Sequence, residues 1–567
     1  MRNTYTIQRR QVFLARGIIM KTVHWRRAAG LTSAARIVVA ALGLILAGPV
    51  AAAAQADPGE SPPPPELDRY VAHAMEAFGV PGLSLAIVQN GKTVVSKGYG
   101  VRSIVNRTPV TPDSAFPIGS ETKAFTSAAL AILVDEGKLK WTDRVVDRLP
   151  GFRMYDPYVT EHTTVRDLLT HRTGLGLGEG DLLIIPGTTR SRADVVHALR
   201  YLAPKTGFRE VFAYDNITYI VAGALVQAVS GETWEHFVEH HIFAPLGMTD
   251  SRTSYDPTAA NAVALHGRTD GPIRGMGKEK VLTQILNGQA AAPCGFINAS
   301  AADMAKWMAM WEEGGKLPDG KPLLSAAAVH ELWTPVVVVP ADAFGAASAL
   351  LPEPTFQDYA LGWFVEDEHG HTVVEHDGAV FGGLASLYFI PDKHVAFSVD
   401  INSEDWAAKR AMVDYLLAYY LGRPQQDWVG GLKRIHEKLI DQTLAKLKNL
   451  PQQYRPNDRS SLPTAGYAGT YTDPWYGSMT ITVRPGNKLW INFDRTPNMD
   501  GPLQHVADDT FRAHWTERGI EDAYVTFQLD KGRIESIAMK PVSPLADFSF
   551  DYQDLHFRPA PRGAPAT

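Results

Sequence analysis

The sequence predicts an α/β protein of the α+β sandwich type, followed by a small all-β domain. Three observations carry this. An early β-hairpin pattern and a late group of strand patterns enclose a run of helical patterns, which suggests one antiparallel sheet closed by both ends of a domain. The chain has 567 residues, too many for one compact core. After a polar stretch, short alternating runs and turn residues take over as far as about residue 553, the pattern of a barrel or sandwich.

Taken in order, residues 1–56 stand apart. They hold eight Lys and Arg and no Asp or Glu, then the apolar stretch IVVAALGLILAGPVAAAA (37–54) and the small-x-small triplet Ala54-Gln55-Ala56. Those are the parts of an export signal, with cleavage expected after Ala56 and a periplasmic or secreted product. Met20 opens a more ordinary leader than Met1 does. Losing those eight charges takes the formal net charge from −6 to −14, which disfavours nucleic acid or anionic lipid as a partner. No later segment is long and apolar enough to span a bilayer. Cys294 is the one cysteine, so no internal disulfide can form, and core packing is its expected role.

Residues 57–65 form a proline-rich spacer, and the first domain is expected over 66–422. LDRYVAHAMEAFG reads as a helix, and GLSLAIVQNGKTVVSKGYG as a hairpin turning at Asn90-Gly91. Helical patterns recur at about 120–137, 191–202, 216–230, 232–243, 300–314 and 405–421. Strand patterns return in ALGWFVED, HTVVEHD, ASLYFIP and HVAFSVDI. Residues 423–460 read as a helical linker and coil, and 461–556 as the β-domain, whose Trp475, Tyr476, Trp490 and Trp515 are expected in its core.

The chemistry begins at GSETKAFTSAALAILVDEGKLK. Ser120 and Lys123 stand three apart at the head of an apolar helix, so their side chains can meet. A serine hydroxyl needs a base, and an amine becomes one when burial lowers its pKa. Taken alone, the pair also fits an N-capping serine beside a solvated lysine. A second segment has Tyr214-Asp215-Asn216 at another helix start. A phenol beside an ammonium is expected to lose its proton below its ordinary value and to shuttle protons, and Asn216 to meet a substrate carbonyl. The plain alternative is a core tyrosine and a capping asparagine. In the third segment, VVEHDGAVFGGLASLYFI, His376-Asp377-Gly378 is expected to end one strand and lead to the next. Gly378 would let a substrate backbone lie against the strand edge, Ala379 N–H would join Ser120 N–H as an oxyanion donor, and His376 would polarise the pocket or relay a proton. The alternative is a glycine-rich turn with a surface histidine.

Ser-x-x-Lys, Tyr-x-Asn and His-x-Gly in this order resemble the serine β-lactamase and penicillin-binding protein superfamily, most of all its class-C-like branch of esterases and D-amino-acid peptidases. TVRDLLTHRTGLG, IFAPLGMTDS, PCGFINASAADMAKW and YALGWFV match it too, over roughly 66–422. The segment 461–556, with YAGTYTDPWYG near its start, resembles the lipocalin-like β-domain often appended to such hydrolases. The resemblance implies a helical cluster packed on a five-stranded antiparallel sheet. It also implies Ser120 as acylated nucleophile, Lys123 as its base or base partner, Tyr214 as proton shuttle and Asn216 as substrate-orienting residue. His376 stands where the β-lactamases carry lysine, and Asp377 is its neighbour. If Asp377 faces the pocket it repels a substrate carboxylate, which argues against β-lactams and for esters, amides or peptides with a free amine.

The expected protein is thus an exported serine hydrolase acting through an acyl-enzyme, first as a carboxylesterase-like enzyme. The alternatives are a D-amino-acid peptidase and a slowly deacylating sensor or scaffold. The expected partner is a small ester, amide or peptide. No metal or cofactor is expected, and the oligomeric state is left open.

Overall fold

Strand β1 (Gly82–Gln89) is buried along its whole length, so it must have cover on both faces. In the computed structural model, which describes residues 62–283, 289–344, 354, 356–453 and 459–561, that cover is helical. Leu83, Leu85 and Ile87 face α1 (Leu67–Phe78) and a second helix late in the domain, while Ala86 and Val88 face the helical cluster. The export signal expected over 1–56 lies outside the described residues.

The hairpin forms as read: β1 turns through Asn90 (φ 49°) and Gly91 (φ 69°) into β2 (Lys92–Gly100). Two positive φ angles in a row are what an Asn-Gly turn supplies. Helix α2 (Thr122–Asp135) is buried on every residue from Thr122 to Leu133, so it is a core helix. Against it packs α3 (Ile217–Ser230), equally apolar, while α4 (Ala301–Glu312) lies on the sheet.

The sheet has eight antiparallel strands where five were expected. The late strands are β3 (Val337–Val338), β4 (Gln357–Tyr359), β5 (Phe364–Glu368), β6 (His371–Val380), β7 (Gly383–Ile390) and β8 (Val395–Ile401). Their order is β2-β1-β8-β7-β6-β5-β4-β3. The five long strands form the expected sheet, and β5, β4 and β3 extend it. Strands β4 and β3, of three and two residues, are too short to show a period in the sequence. Helix α5 (Trp406–Tyr420) closes the outer face.

Helix α6 (Trp428–Gln453) docks Val429 and Leu432 on that outer layer and leads to a closed eight-stranded barrel. The barrel strands are β9 (Gly469–Asp473), β10 (Gly477–Arg484), β11 (Lys488–Phe493), β12 (Asp500–Ala507), β13 (Thr510–Ala513), β14 (Ala523–Asp530), β15 (Arg533–Pro541) and β16 (His556–Pro559). Aromatic rings fill its core: Tyr467 meets Phe527 at 4.8 Å and Phe511 at 5.0 Å, and Phe493 meets Phe557 at 5.7 Å. Trp475, Tyr476 and Trp515 are buried as expected, whereas Trp490 is half-buried under the Arg484 guanidinium. Among the described residues, no helix is long and apolar enough to cross a membrane.

Candidate active site

Ser120 sits in a 3-10 turn (Gly119–Glu121) that runs straight into α2, so the nucleophile candidate and Lys123 lie on consecutive turns. Lys123 Nζ donates to Ser120 Oγ at 2.9 Å, to Asn216 Oδ1 at 2.7 Å and to the Cys294 carbonyl at 3.0 Å. Its side chain is fully buried, over the Tyr214 ring at 4.7 Å and the Tyr219 ring at 5.4 Å. Burial lowers its pKa to about 8, with Cys294, Asp181 and Asp215 pulling the other way. The reading of a solvated lysine is therefore excluded.

Tyr214 faces Ser120, whose hydroxyl favours the phenolate, and Lys123 Nζ lies 4.7 Å from its ring centroid. Burial opposes the expected easy loss of the phenol proton. Burial pushes Tyr214 well above its ordinary value, and Tyr219, Cys294 and Asp181 push the same way. The amine, not the phenol, is the group that loses its proton near neutral pH. Asn216 is committed to its own chain: besides accepting from Lys123, its Nδ2 donates to Asp181 Oδ2 at 2.8 Å. It does not cap α3 with its side chain; Asp215 Oδ1 does, accepting from Thr218 N–H at 3.1 Å.

His376 is buried and neutral. Nδ1 donates to the Asp377 carbonyl at 2.7 Å, which leaves Nε2 to accept from the Tyr359 hydroxyl at 3.2 Å. Burial and the nearby Lys123 lower its pKa to about 3. Both nitrogens are spoken for, so the ring is held in place and adds no positive charge to the pocket.

Two expectations about this strand are corrected. The segment His376-Asp377-Gly378 does not end the strand; β6 runs on to Val380 and turns at Gly382 (φ 85°). Asp377, moreover, lies on the face opposite His376. Its carboxylate accepts from Ser386 Oγ at 2.5 Å and pairs with Lys409 of α5 at 2.6 Å. A two-residue side-chain period puts neighbours on opposite faces, and the pairing neutralises the charge that was expected to repel a substrate carboxylate.

Gly378 is explained by the chain itself. Strand β5 pairs with β6 only as far as Glu375, and beyond that the edge of β6 meets the Ser120 turn. A Cβ on Gly378 would lie 1.9 Å from the Ile118 carbonyl oxygen, and one on Gly119 (φ 52°) 2.5 Å from Ala379 N. The glycine thus admits Ile118 where a substrate backbone was expected, and Ala379 N lies against the Gly119–Glu121 turn that carries Ser120. Gly378→Ala is expected to force β6 away from the turn, costing about 1–3 kcal/mol of stability and most of the reactivity of Ser120. Thermal unfolding and serine labelling check both.

Sequence reasoning placed four contributors outside the site. His171 (φ 51°) accepts the Asp215 backbone N–H on Nδ1 at 3.1 Å and packs 4.3 Å from the Tyr214 ring, fixing the tyrosine's segment. Tyr359 holds His376, and Cys294 lends its carbonyl to Lys123. Their signal lay in the matched segments, which gave no chemistry. The fourth is a loop of the barrel: Phe548 meets the Tyr214 ring edge-on at 5.9 Å and Phe344 at 6.2 Å, walling the site.

A serine bonded to a buried amine, beside a phenol, in a turn that lies against a sheet edge, has the parts of an acyl-transfer centre. Residues 67–422 match the beta-lactamase family, and the chain belongs to it, as a serine hydrolase carrying a C-terminal β-barrel. Residues 454–559 match a domain of unknown function, DUF3471. An unguisins hydrolase of Aspergillus campestris is 30% identical over 440 residues, covering 73% of this chain and 77% of that protein. Penicillin-binding protein 4 of Amycolatopsis lactamdurans is 28% identical over 332 residues, covering 57% and 81%. The octameric penicillin-binding protein homologue from Pyrococcus abyssi shares the fold, with a TM-score of 0.54 at 21% identity over 87% of this chain and 99% of that one.

Proposed function

We infer that this protein is an exported serine hydrolase that cleaves a neutral ester or amide through an acyl-enzyme on Ser120. The observation that carries this is Lys123 Nζ, buried with a pKa of about 8 and 2.9 Å from Ser120 Oγ. Ser120 Oγ attacks the carbonyl and its proton passes to Lys123. The N–H groups of Ser120 and Ala379 hold the oxyanion, and Tyr214 O–H gives its proton to the leaving group as it takes the one held by Lys123, so both side chains return to their starting state. Water then attacks the acyl carbon by the same route in reverse.

Substrate charge is set by what the third segment lacks. His376 is neutral and Lys409 is paired with Asp377, so neither offers a cation to a substrate carboxylate. That supports esters and neutral amides, with carboxylesterase-like activity first. The likeness to a penicillin-binding protein favours a second reading, a D-amino-acid peptidase, which keeps the same chemistry. Export rests on the basic and apolar pattern of residues 1–56, and the mass of the protein recovered outside the cytoplasm tests cleavage after Ala56.

The test is hydrolysis of short acyl p-nitrophenyl esters, D- and L-aminoacyl p-nitroanilides and a chromogenic cephalosporin, with Ser120→Ala alongside. Ester turnover is expected, with little on the cephalosporin. D-aminoacyl turnover in excess of ester turnover moves the assignment to the peptidase. A stable acyl-enzyme mass without turnover replaces both by a sensor.

A further inference from the structure

Asp181 belongs to the hydrolase domain and Ser549 to the barrel domain, 368 residues apart, yet they meet behind the catalytic lysine. Ser549 Oγ donates to Asp181 Oδ2 at 2.8 Å. The same oxygen takes Asn216 Nδ2 at 2.8 Å, and Asn216 Oδ1 takes Lys123 Nζ at 2.7 Å. Lys123 ends the chain on Ser120. We propose that Ser549 and Asp181 are positioning residues for the catalytic amine, so that Ser120 is activated only when the barrel is docked. This rests on the reading of Ser120 and Lys123 as nucleophile and base.

The barrel sets Asp181 from three directions. Asp551 accepts the N–H of Gly180 at 2.7 Å and of Leu182 at 3.0 Å, gripping the backbone on both sides of Asp181. Phe548 lies against Gly178, where a Cβ would come within 2.7 Å of its ring. Ser549 supplies the side-chain bond. All of these residues are buried or half-buried, and Asp181 Oδ1 has no partner, so the hydrogen bonds of Asp181 fall on one oxygen. A buried carboxylate that loses one of two donors loses both position and charge.

The charged and titratable groups facing Lys123 are Asp181, Asp215, Cys294, Tyr214, Tyr219 and the neutral His171 and His376. Those facing Asp181 include Lys123, Asp215, Asp547 and Asp551, with Ser549 and Asn216 bonded to it. Burial raises Asp181, and the bonds from Ser549 and Asn216 oppose it, leaving the carboxyl at about 7. Ionised Asp181 raises the pKa of Lys123. Removing the Ser549 hydroxyl makes Asp181 harder to ionise, which lets the Lys123 pKa fall. The pH at which the amine becomes a free base therefore falls as well.

The experiment is the second-order rate of fluorophosphonate labelling against pH, on the full chain, for wild type, Ser120→Ala, Ser549→Ala, Asp181→Asn and Lys205→Ala. Lys205 pairs with Asp554 of the barrel at 2.8 Å and serves as a docking control that leaves Asp181 bonded. Ser549→Ala is expected to lose about tenfold in plateau rate and Asp181→Asn more. In both, the midpoint of the acidic limb moves to lower pH, while Lys205→Ala keeps the wild-type midpoint. Folded Ser549→Ala and Asp181→Asn with the wild-type midpoint overturn the proposal, whether or not their rates fall, because a merely structural role would leave the midpoint in place. Labelling that survives in folded Ser120→Ala overturns the underlying reading instead. Should Asp181→Asn fail to fold, Ser549→Ala decides alone.

Discussion

Ser120→Ala is expected to lose hydrolysis by about 10⁴-fold or more and to lose fluorophosphonate labelling altogether, while the protein melts as before. The loss is large because no neighbour can replace the nucleophile. Tyr214 holds its proton too tightly, being pushed well above its ordinary value by burial, and the Cys294 thiol is buried with its pKa raised to about 12. Ser120, unlike these two neighbours, is half-exposed and bonded to a group that can accept a proton near neutral pH. Removing its hydroxyl leaves Lys123 with Asn216 Oδ1 and the Cys294 carbonyl, so the fold keeps its buried cation satisfied. Intact-protein mass after labelling measures the first half, and a thermal melt the second. Labelled Ser120→Ala would exclude the mechanism.

Lys123→Met is expected to lower kcat/KM by about 10³-fold, the size of a lost general base. In the wild type the pH profile carries the same information. The amine accepts a proton only when neutral, so kcat/KM falls about tenfold for each pH unit below about 8 and levels off above it. Stability has a related slope. The folded value of about 8 lies below the ordinary 10.5, so between the two the unfolded chain binds more protons. Raising the pH across that window therefore stabilises the fold. Lys123→Met should lose that contribution along with the acidic limb of the rate. A rate profile flat from pH 6 to 9 in the wild type would remove Lys123 as base.

Much of this site was legible because its chemistry is local in the chain. Ser120 and Lys123 stand three residues apart, and the apolar run after them announced the burial that lowers the amine. Tyr214 and Asn216 were legible as a pair at a helix start. The protonation of Tyr214 was not, because burial and the ammonium act on it in opposite senses, and the sequence does not say how deep the ring lies. Asp377 shows the same limit. Its strand period was readable, but which face of β6 looks onto Ser120 depends on where the helices pack.

The order of strands and helices, the Asn-Gly hairpin, the core helix α2 and the Ser120–Lys123 pair all come from periodicity and from residue types a few positions apart, which a linear chain displays. Contacts between distant segments come from packing alone. Lys409 neutralises Asp377, the Ile118 carbonyl claims the space at Gly378, and a barrel residue 368 positions away bonds Asp181. Each is made by groups whose separation in sequence carries no information about their separation in space, and each changes the charge or the room at the site. The kind of reaction is therefore written locally, while the substrate charge it admits and its dependence on the barrel arise from the folded whole.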